Sequence, residues 1–228
     1  MNQRFISVSL NIRDRDLTSF VREAKAKIGE QIVYDHTKFQ ITWNGQLEHQ
    51  NRAFKRLAVV IPITLLVMFL LLFFNFGKFR HAALVMTMLP LAVFGGMLAL
   101  VVRGMTVNVS SAVGFIALFG VTIQNGVIML SHINVLRKRG RELKLAVIDG
   151  ASHRLRPILM IGTVAMIGLL PASLATGIGS DVQRPLATVI VYGLLFATIL
   201  TLYILPLFYY VVERYYERKE ARSPKEKI

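Results

Sequence analysis

Five stretches of this chain contain no aspartate, glutamate, lysine or arginine, and each is long enough to cross a lipid bilayer. They are residues 57–77, 81–102, 104–136, 157–180 and 185–212. About 20 apolar residues, rising 1.5 Å each, cover the roughly 30 Å of hydrocarbon in a bilayer. The third and fifth runs exceed that length, so their ends reach into the interface or loops. Spans are therefore expected near 57–77, 81–102, 108–134, 157–177 and 185–212. A backbone that finds no water must close its own hydrogen bonds, so these spans are expected to be helices. Charged residues make up 18% of the chain, against about 25% in a soluble domain.

The formal net charge of +14 raises nucleic acid as a partner. The pattern excludes it, because the basic residues flank the apolar runs and form no continuous face. They orient the spans instead. The turn after the first run, the loop after the third and the segment after the fifth hold fifteen Lys and Arg, whereas the opposite loops hold only Arg103 and Arg184. That bias places the basic tail, 213–228, in the cytoplasm and the amino-terminal segment on the other side of the membrane. The amino-terminal segment carries ten Lys and Arg, but long segments translocate largely regardless of charge. Phe73, Phe74 and Phe76 close the first span, and Tyr209, Tyr210, Tyr215 and Tyr216 close the fifth, as interfacial aromatics do. The opening residues lack the apolar core of a signal peptide.

The segment before the spans reads differently. Residues 5–12 alternate with a strand period, and residues 16–28 carry Leu17, Phe20, Val21, Ala24 and Ile28 at helical spacing. Asp16 is a candidate N-cap and Gly29 a candidate stop. Residues 39–43 read as a second strand before an Asn44-Gly45 turn. The expected fold class is thus mostly α. A five-span transmembrane bundle follows a partial α+β (β-α-β) periplasmic subdomain over 1–46, and a connecting helix over 47–56 joins the two. So small a β-α-β piece buries little core alone, which marks it as half of a larger subdomain.

Polar residues inside spans carry functional hypotheses, because lipid makes them costly. Thr122, Gln124 and Asn125 sit near the middle of the third run. Two readings stand: the amides meet a proton-carrying carboxylate, or they glue helices together at about 0.6 kcal/mol per bond. Small residues at four-residue spacing, Ala92/Gly96, Ser110/Gly114 and Gly168/Ala172, allow helices to approach closely. Pro62, Pro90, Pro171 and Pro206 lie within runs, where proline either kinks a helix or is simply tolerated. No run contains a carboxylate or a lysine, so the titrating group that proton coupling needs is expected from elsewhere. The chain has no cysteine, and its histidines at 36, 49, 81, 132 and 153 show no metal-ligand spacing. Met86 and Met88 point in different directions on a helix and read as core filling. No metal site, cofactor, nucleophile–base pair or phosphate loop is expected, and so no enzyme.

Three stretches together resemble the resistance-nodulation-division (RND) superfamily. They are ALFGVTIQNGVIML at 117–130, RLRPILM at 154–160 and LLPASLATGIGSDVQRPLA at 169–187. The last resembles the heavy-metal efflux (CzcA/CusA-like) branch more than the drug-exporting one. NGQLEHQNRA before the first run is similar to the point where that family's periplasmic porter domain re-enters the membrane. The resemblance covers about residues 2–218. It implies the last five of twelve transmembrane helices of a homotrimeric proton antiporter, whose essential carboxylates lie on a fourth helix in the missing half. It implies a periplasmic adaptor and an outer-membrane channel as partners, beside the lipid bilayer and the amino-terminal half of the same pump. By this resemblance Gln124, Asn125 and Arg154 are proton-relay or coupling candidates. Gln124 falls where many drug pumps carry Lys and some copper pumps Glu, Ile158 where copper/silver pumps carry Lys, and Ile161 where drug pumps carry a relay Thr. These departures point to divalent-cation pumps.

The expected function is export of heavy-metal cations by proton antiport, dependent on the missing half. The alternatives are an RND pump for drugs or organic solutes, and a non-transporting remnant or packing subunit. An antibody against residues 220–228 is expected to detect, in native membranes, a product several times heavier than 25.6 kDa. A band near 25.6 kDa with no separate partner half would instead mark a five-span protein that cannot drive export by itself.

Overall fold

The computed structural model describes residues 6, 8, 17–31, 41, 46–177 and 179–222. Seven helices account for nearly all of them: α1 (Leu17–Gln31), α2 (Gln46–Phe76), α3 (Phe79–Met86), α4 (Met88–Val102), α5 (Val109–Lys138), α6 (Leu143–Leu174) and α7 (Ser180–Arg222). The chain divides into two compact units, Met1–Lys55 and Arg56–Ile228.

In the first unit, α1 runs through Gly29 to Gln31 and carries an exposed Glu23–Lys27 ion pair one turn apart. The expected β-α-β subdomain is not supported, because no described residue lies in a strand. Its two expected strands, 5–12 and 39–43, fall almost wholly outside the described residues. Ile6, Val8 and Ile41 are described, and none is in a strand. Alternation makes a strand only where a neighbour completes the ladder, and an isolated pair is marginal in water.

Among the described residues, five helical passages from Arg52 onward are long and apolar enough to cross a membrane. The second passage is built from two pieces, α3 and α4, which meet at Thr87. Pro90 explains the break: it has no N–H for the carbonyl of Met86, and its ring crowds that carbonyl. Thr87 Oγ1 donates to Leu84 O at 2.6 Å and steadies the joint. Pro62, Pro157, Pro171, Pro185 and Pro206 instead sit inside continuous helices.

Two passages extend beyond their charge-free runs. The basic stretch after the third run is a tight turn around Gly140 followed by the first turns of α6, where Leu143, Ala146, Val147 and Gly150 are buried at helical spacing. Gly140 (φ 83°) closes α5 with Gly140 N donating to Arg137 O at 3.0 Å and Arg141 N to Leu136 O at 3.2 Å. α7 likewise runs ten residues past the fifth apolar run.

α7 is the hub, packing against α4, α5 and α6. Its buried face recurs every three or four residues from Ala187 through Leu194, Ala197, Thr201, Leu205 and Tyr209 to Glu213. Contact is close because glycines line it. A Cβ on Gly193 would lie 2.6 Å from Leu118 Cδ2, one on Gly95 2.5 Å from Phe196 Cβ, and one on Gly114 2.9 Å from Leu186 O. By contrast α2 presents Leu72 inward with Phe69 and Phe76 beside it, and leaves Val59, Ile63, Leu66, Leu70 and Phe74 exposed.

Of the residues expected to pack helices, Ala92, Gly96 and Gly114 are buried and Ser110 is half-buried. Gly168 is exposed with nothing within 4 Å of an added Cβ, and Ala172 is half-buried. Gly150 is tighter than any of these, since its Cβ would meet Ile133 Cγ1 at 2.5 Å and Cα at 3.3 Å. Ile133 is β-branched and buried, so it cannot move aside. Gly150→Ala is therefore expected to destabilise by about 1–3 kcal/mol through overpacking. Gly168→Ala should gain up to about 1 kcal/mol of helix propensity. Thermal melting of the two purified variants checks the opposed signs.

Candidate functional site

Two apolar clusters stack along the bundle. One contains Leu89, Ala92, Leu100, Phe115, Leu118, Phe119, Val189, Leu194 and Ala197; the other is centred on Val85, Met129, Leu130, Ile133, Ile158, Leu205 and Tyr209. Between them, at mid-depth on α5 and α7, lie the buried polar residues Thr122, Asn125, Thr198 and Thr201.

Their hydrogen bonding differs. Thr122 Oγ1 donates to Leu118 O at 2.7 Å, so its hydroxyl is satisfied within α5. Asn125 is 1% exposed, yet neither Oδ1 nor Nδ2 has a partner, and the buried Thr198 Oγ1 has none either. Across an apolar interior each orphaned polar atom costs about 1–3 kcal/mol. Thr198 faces α6, where a Cβ on Gly162 would lie 3.1 Å from its Oγ1.

Gln124 is turned away from Asn125 by one residue of helix, about 100°. It is exposed and ends a row formed with Val113, Ala117 and Gly120, all exposed at 4-3-4 spacing. Nothing lies within 4 Å of a Cβ on Gly120. With Ala117 and Gly120 at its centre, that row is a face against which another helix can pack closely.

Arg154 stands elsewhere. It follows His153 on α6, whose ring lies 5.9 Å from that of His132 on α5. His132 is seven residues along α5 from Asn125, about 10 Å at helical rise. His132 Nε2 and Arg154 Nε are both buried without a partner. The three relay candidates thus do not converge within this chain. Ile158 is fully buried and Ile161 half-buried on the intervening turns of α6.

A second polar site was not foreseen from the sequence. Tyr209 O–H donates to Asn134 Oδ1 at 2.9 Å, Asn134 Nδ2 donates to His81 Nδ1 at 3.3 Å, and His81 Nε2 donates to Glu213 Oε1 at 2.7 Å. Arg80 Nε lies 3.0 Å from the same carboxylate oxygen, an ion contact without hydrogen-bond alignment, and its guanidinium covers Tyr216 at 4.7 Å. The chain of donors ties α3, α5 and α7 together around a carboxylate that is 7% exposed. Glu213 had been assigned to the basic tail, because the apolar run stops at residue 212. The available signal was the α7 stripe, which reaches position 213 at the same spacing. At the opposite end Arg103 Nη1 donates to Ser173 O at 2.7 Å and to Thr188 Oγ1 at 3.0 Å, joining α4, α6 and α7.

Among the described residues no three His, Asp or Glu side chains converge as a metal-ligand set. Removing one member of a buried ion pair strands its partner and costs about 3–5 kcal/mol. Glu213→Ala is therefore expected to lower the melting temperature sharply. Glu217→Ala, which removes the half-exposed pair with Arg137, should cost less, about 1 kcal/mol. Equal melting shifts in the two variants would show that the His81–Glu213 cluster does not hold the helices.

Comparison with known proteins bears on these sites. The model of the AcrB/AcrD/AcrF family matches residues 1–213. The chain is 49% identical to Protein HelA of Legionella pneumophila, covering 99% of this chain and 22% of that protein. It is 46% identical to the cobalt-zinc-cadmium resistance protein CzcA of Cupriavidus metallidurans, covering 97% of this chain and 21% of that protein. A crystal structure of a heavy metal efflux pump superposes on 89% of this chain with a TM-score of 0.75 and 53% identity, and this chain covers 20% of it. The chain thus spans about a fifth of the length of the relatives it matches.

Proposed function

The chain belongs to the AcrB/AcrD/AcrF family, in its heavy-metal RND efflux branch, and from that premise we propose that it forms one section of an inner-membrane pump exporting divalent transition-metal cations in exchange for protons. The full transporter supplies the remaining helices, assembles as a trimer, and works with a periplasmic adaptor and an outer-membrane channel. Orientation follows the charge bias, with the basic end of α7 in the cytoplasm.

One observation carries this reading: the Asn125 amide, buried at mid-depth with both polar atoms unpaired. No lysine or carboxylate lies at that level of α5, α6 or α7, so the proton carrier belongs to the rest of the transporter. The Val113–Ala117–Gly120–Gln124 row is the face against which that part packs. With α5 placed as it is here, Asn125 is turned inward and unpaired. When the carrier changes protonation, α5 shifts and the Gln124 and Asn125 amides exchange bonds with the carboxyl. The orphaned amide raises the energy of the inward arrangement by about 1–3 kcal/mol per atom, the size of a typical coupling energy between sites. α2, which touches the bundle through few side chains, carries the motion outward to the amino-terminal unit. Arg154 steadies the basic end of α6, away from the exchange. Metal selection falls to parts of the transporter outside the described residues.

Asn125→Leu in the complete transporter should leave the fold as stable as before or more so, because it removes an unpaired polar group. It should reduce the metal tolerance conferred on a sensitive host by about 5–150-fold, the span of ordinary coupling energies. Gln124→Leu should act in the same direction, and Thr122→Val, whose hydroxyl bonds only its own helix, should not. Full tolerance in Asn125→Leu would sink the relay.

A further inference from the structure

A groove of about 320 Å³ opens between α6 and α7, lined by Lys144, Val147, Ile148, Pro206, Leu207 and Tyr210. That volume is at the lower end of the range for small-molecule sites, about 300–1,000 Å³. Its walls are hydrocarbon and continue into an outer surface that is also apolar, with Leu145, Ile148, Leu207 and Val211 all exposed. Its polar groups collect at one end. Lys144 sits in the first turn of α6, and the Arg214 guanidinium lies 5.6 Å from the centre of the Tyr210 ring.

The nearby carboxylates leave these two cations alone. Asp149 bonds Arg141, Glu213 bonds His81 and contacts Arg80, and Glu217 pairs with Arg137. Glu142 is two positions from Lys144, a spacing that does not bring side chains together on a helix. Neither Lys144 nor Arg214 has an ion pair among the described residues.

We propose that this groove holds one anionic phospholipid of the leaflet on the Lys/Arg-rich side of the membrane. The phosphate sits between Lys144 and Arg214, and the Tyr210 hydroxyl donates to it. One acyl chain lies along Val147, Ile148 and Leu207 as far as Pro206. Unpaired cations at the mouth of an apolar groove that opens onto an apolar outer surface match an anionic head on a hydrocarbon tail. The lipid seals the α6–α7 seam next to the turn that α6 shares with α5. The site does not depend on what the transporter carries.

The test is lipid retention by native mass spectrometry. The complete protein, in its native assembly, is exchanged into an equal mixture of phosphatidylglycerol and phosphatidylcholine. Preferential retention of phosphatidylglycerol is expected. Each basic residue near an anionic surface is worth roughly fivefold, so Lys144→Gln with Arg214→Gln should weaken retention of phosphatidylglycerol about thirtyfold and leave phosphatidylcholine unchanged. Ile148→Trp, which fills the groove, should reduce both lipids. All three substitutions are at exposed positions, so folding is preserved. Equal retention of the two lipids by the unaltered protein, or a preference that survives the double substitution, overturns the proposal. So does a photo-crosslinker at Leu207 that captures a protein segment in place of lipid.

Discussion

In hydrocarbon a backbone amide has no water to bond, so every residue that crosses must be satisfied within its own helix or by a neighbour. The rest of this bundle depends on that constraint. It explains why α2 and α4 to α7 run unbroken over long distances, and why the single interruption is small. At Pro90 the lost bond frees one carbonyl, and the chain restarts as α4 after a single residue. It also explains Gly104 and Gly140, whose positive φ lets the ends of α4 and α5 fold their last carbonyls back onto the chain.

Because lipid tails are as apolar as leucine, helix association cannot rest on the hydrophobic effect alone. Close approach takes its place. α7 meets α4 and α5 at Gly95, Gly96, Gly114 and Gly193, and α5 meets α6 at Gly150. These contacts bring backbones near enough for dispersion forces to accumulate. The hydrogen-bonded clusters at Arg103 and at His81–Glu213 then fix the two ends of the bundle. α2, without such a glycine face, remains the least attached passage.

Against this background the polar groups sort themselves by how completely they are satisfied. Thr122 bonds its own helix, Arg103 and His81 bond across helices, and the Asn125 and Thr198 side chains bond nothing among the described residues. The unsatisfied pair lies at mid-depth, where the cost of leaving a polar group alone is greatest. Gln124 lies at the same level but faces outward. These are the positions at which the bundle is incomplete by itself, which is why the proposed function joins them to the rest of a longer transporter.

The five passages were legible because length and absence of charge are properties of the chain itself, and lipid admits only helices of that length. The mid-depth amides at Gln124 and Asn125 were visible too, because a polar residue inside an apolar run stands out by composition, whereas of the small-residue positions Gly96 and Gly114 meet neighbouring helices and Gly168 meets none among the described residues. Where the helices end was not visible. Charges on α6 and α7 hid buried faces that continue through Leu143 and Glu213, since a charge count registers composition and not periodicity. The sequence by itself determined the membrane class, the number of passages and the family. Only the tertiary structure decided that Gln124 faces out while Asn125 faces in, that Arg154 follows a histidine packed on His132, about two turns of α5 from Asn125, and that Glu213 meets His81 across 132 residues. Those outcomes depend on how helices rotate about their axes and slide against one another. Packing sets both, and no single helix encodes either.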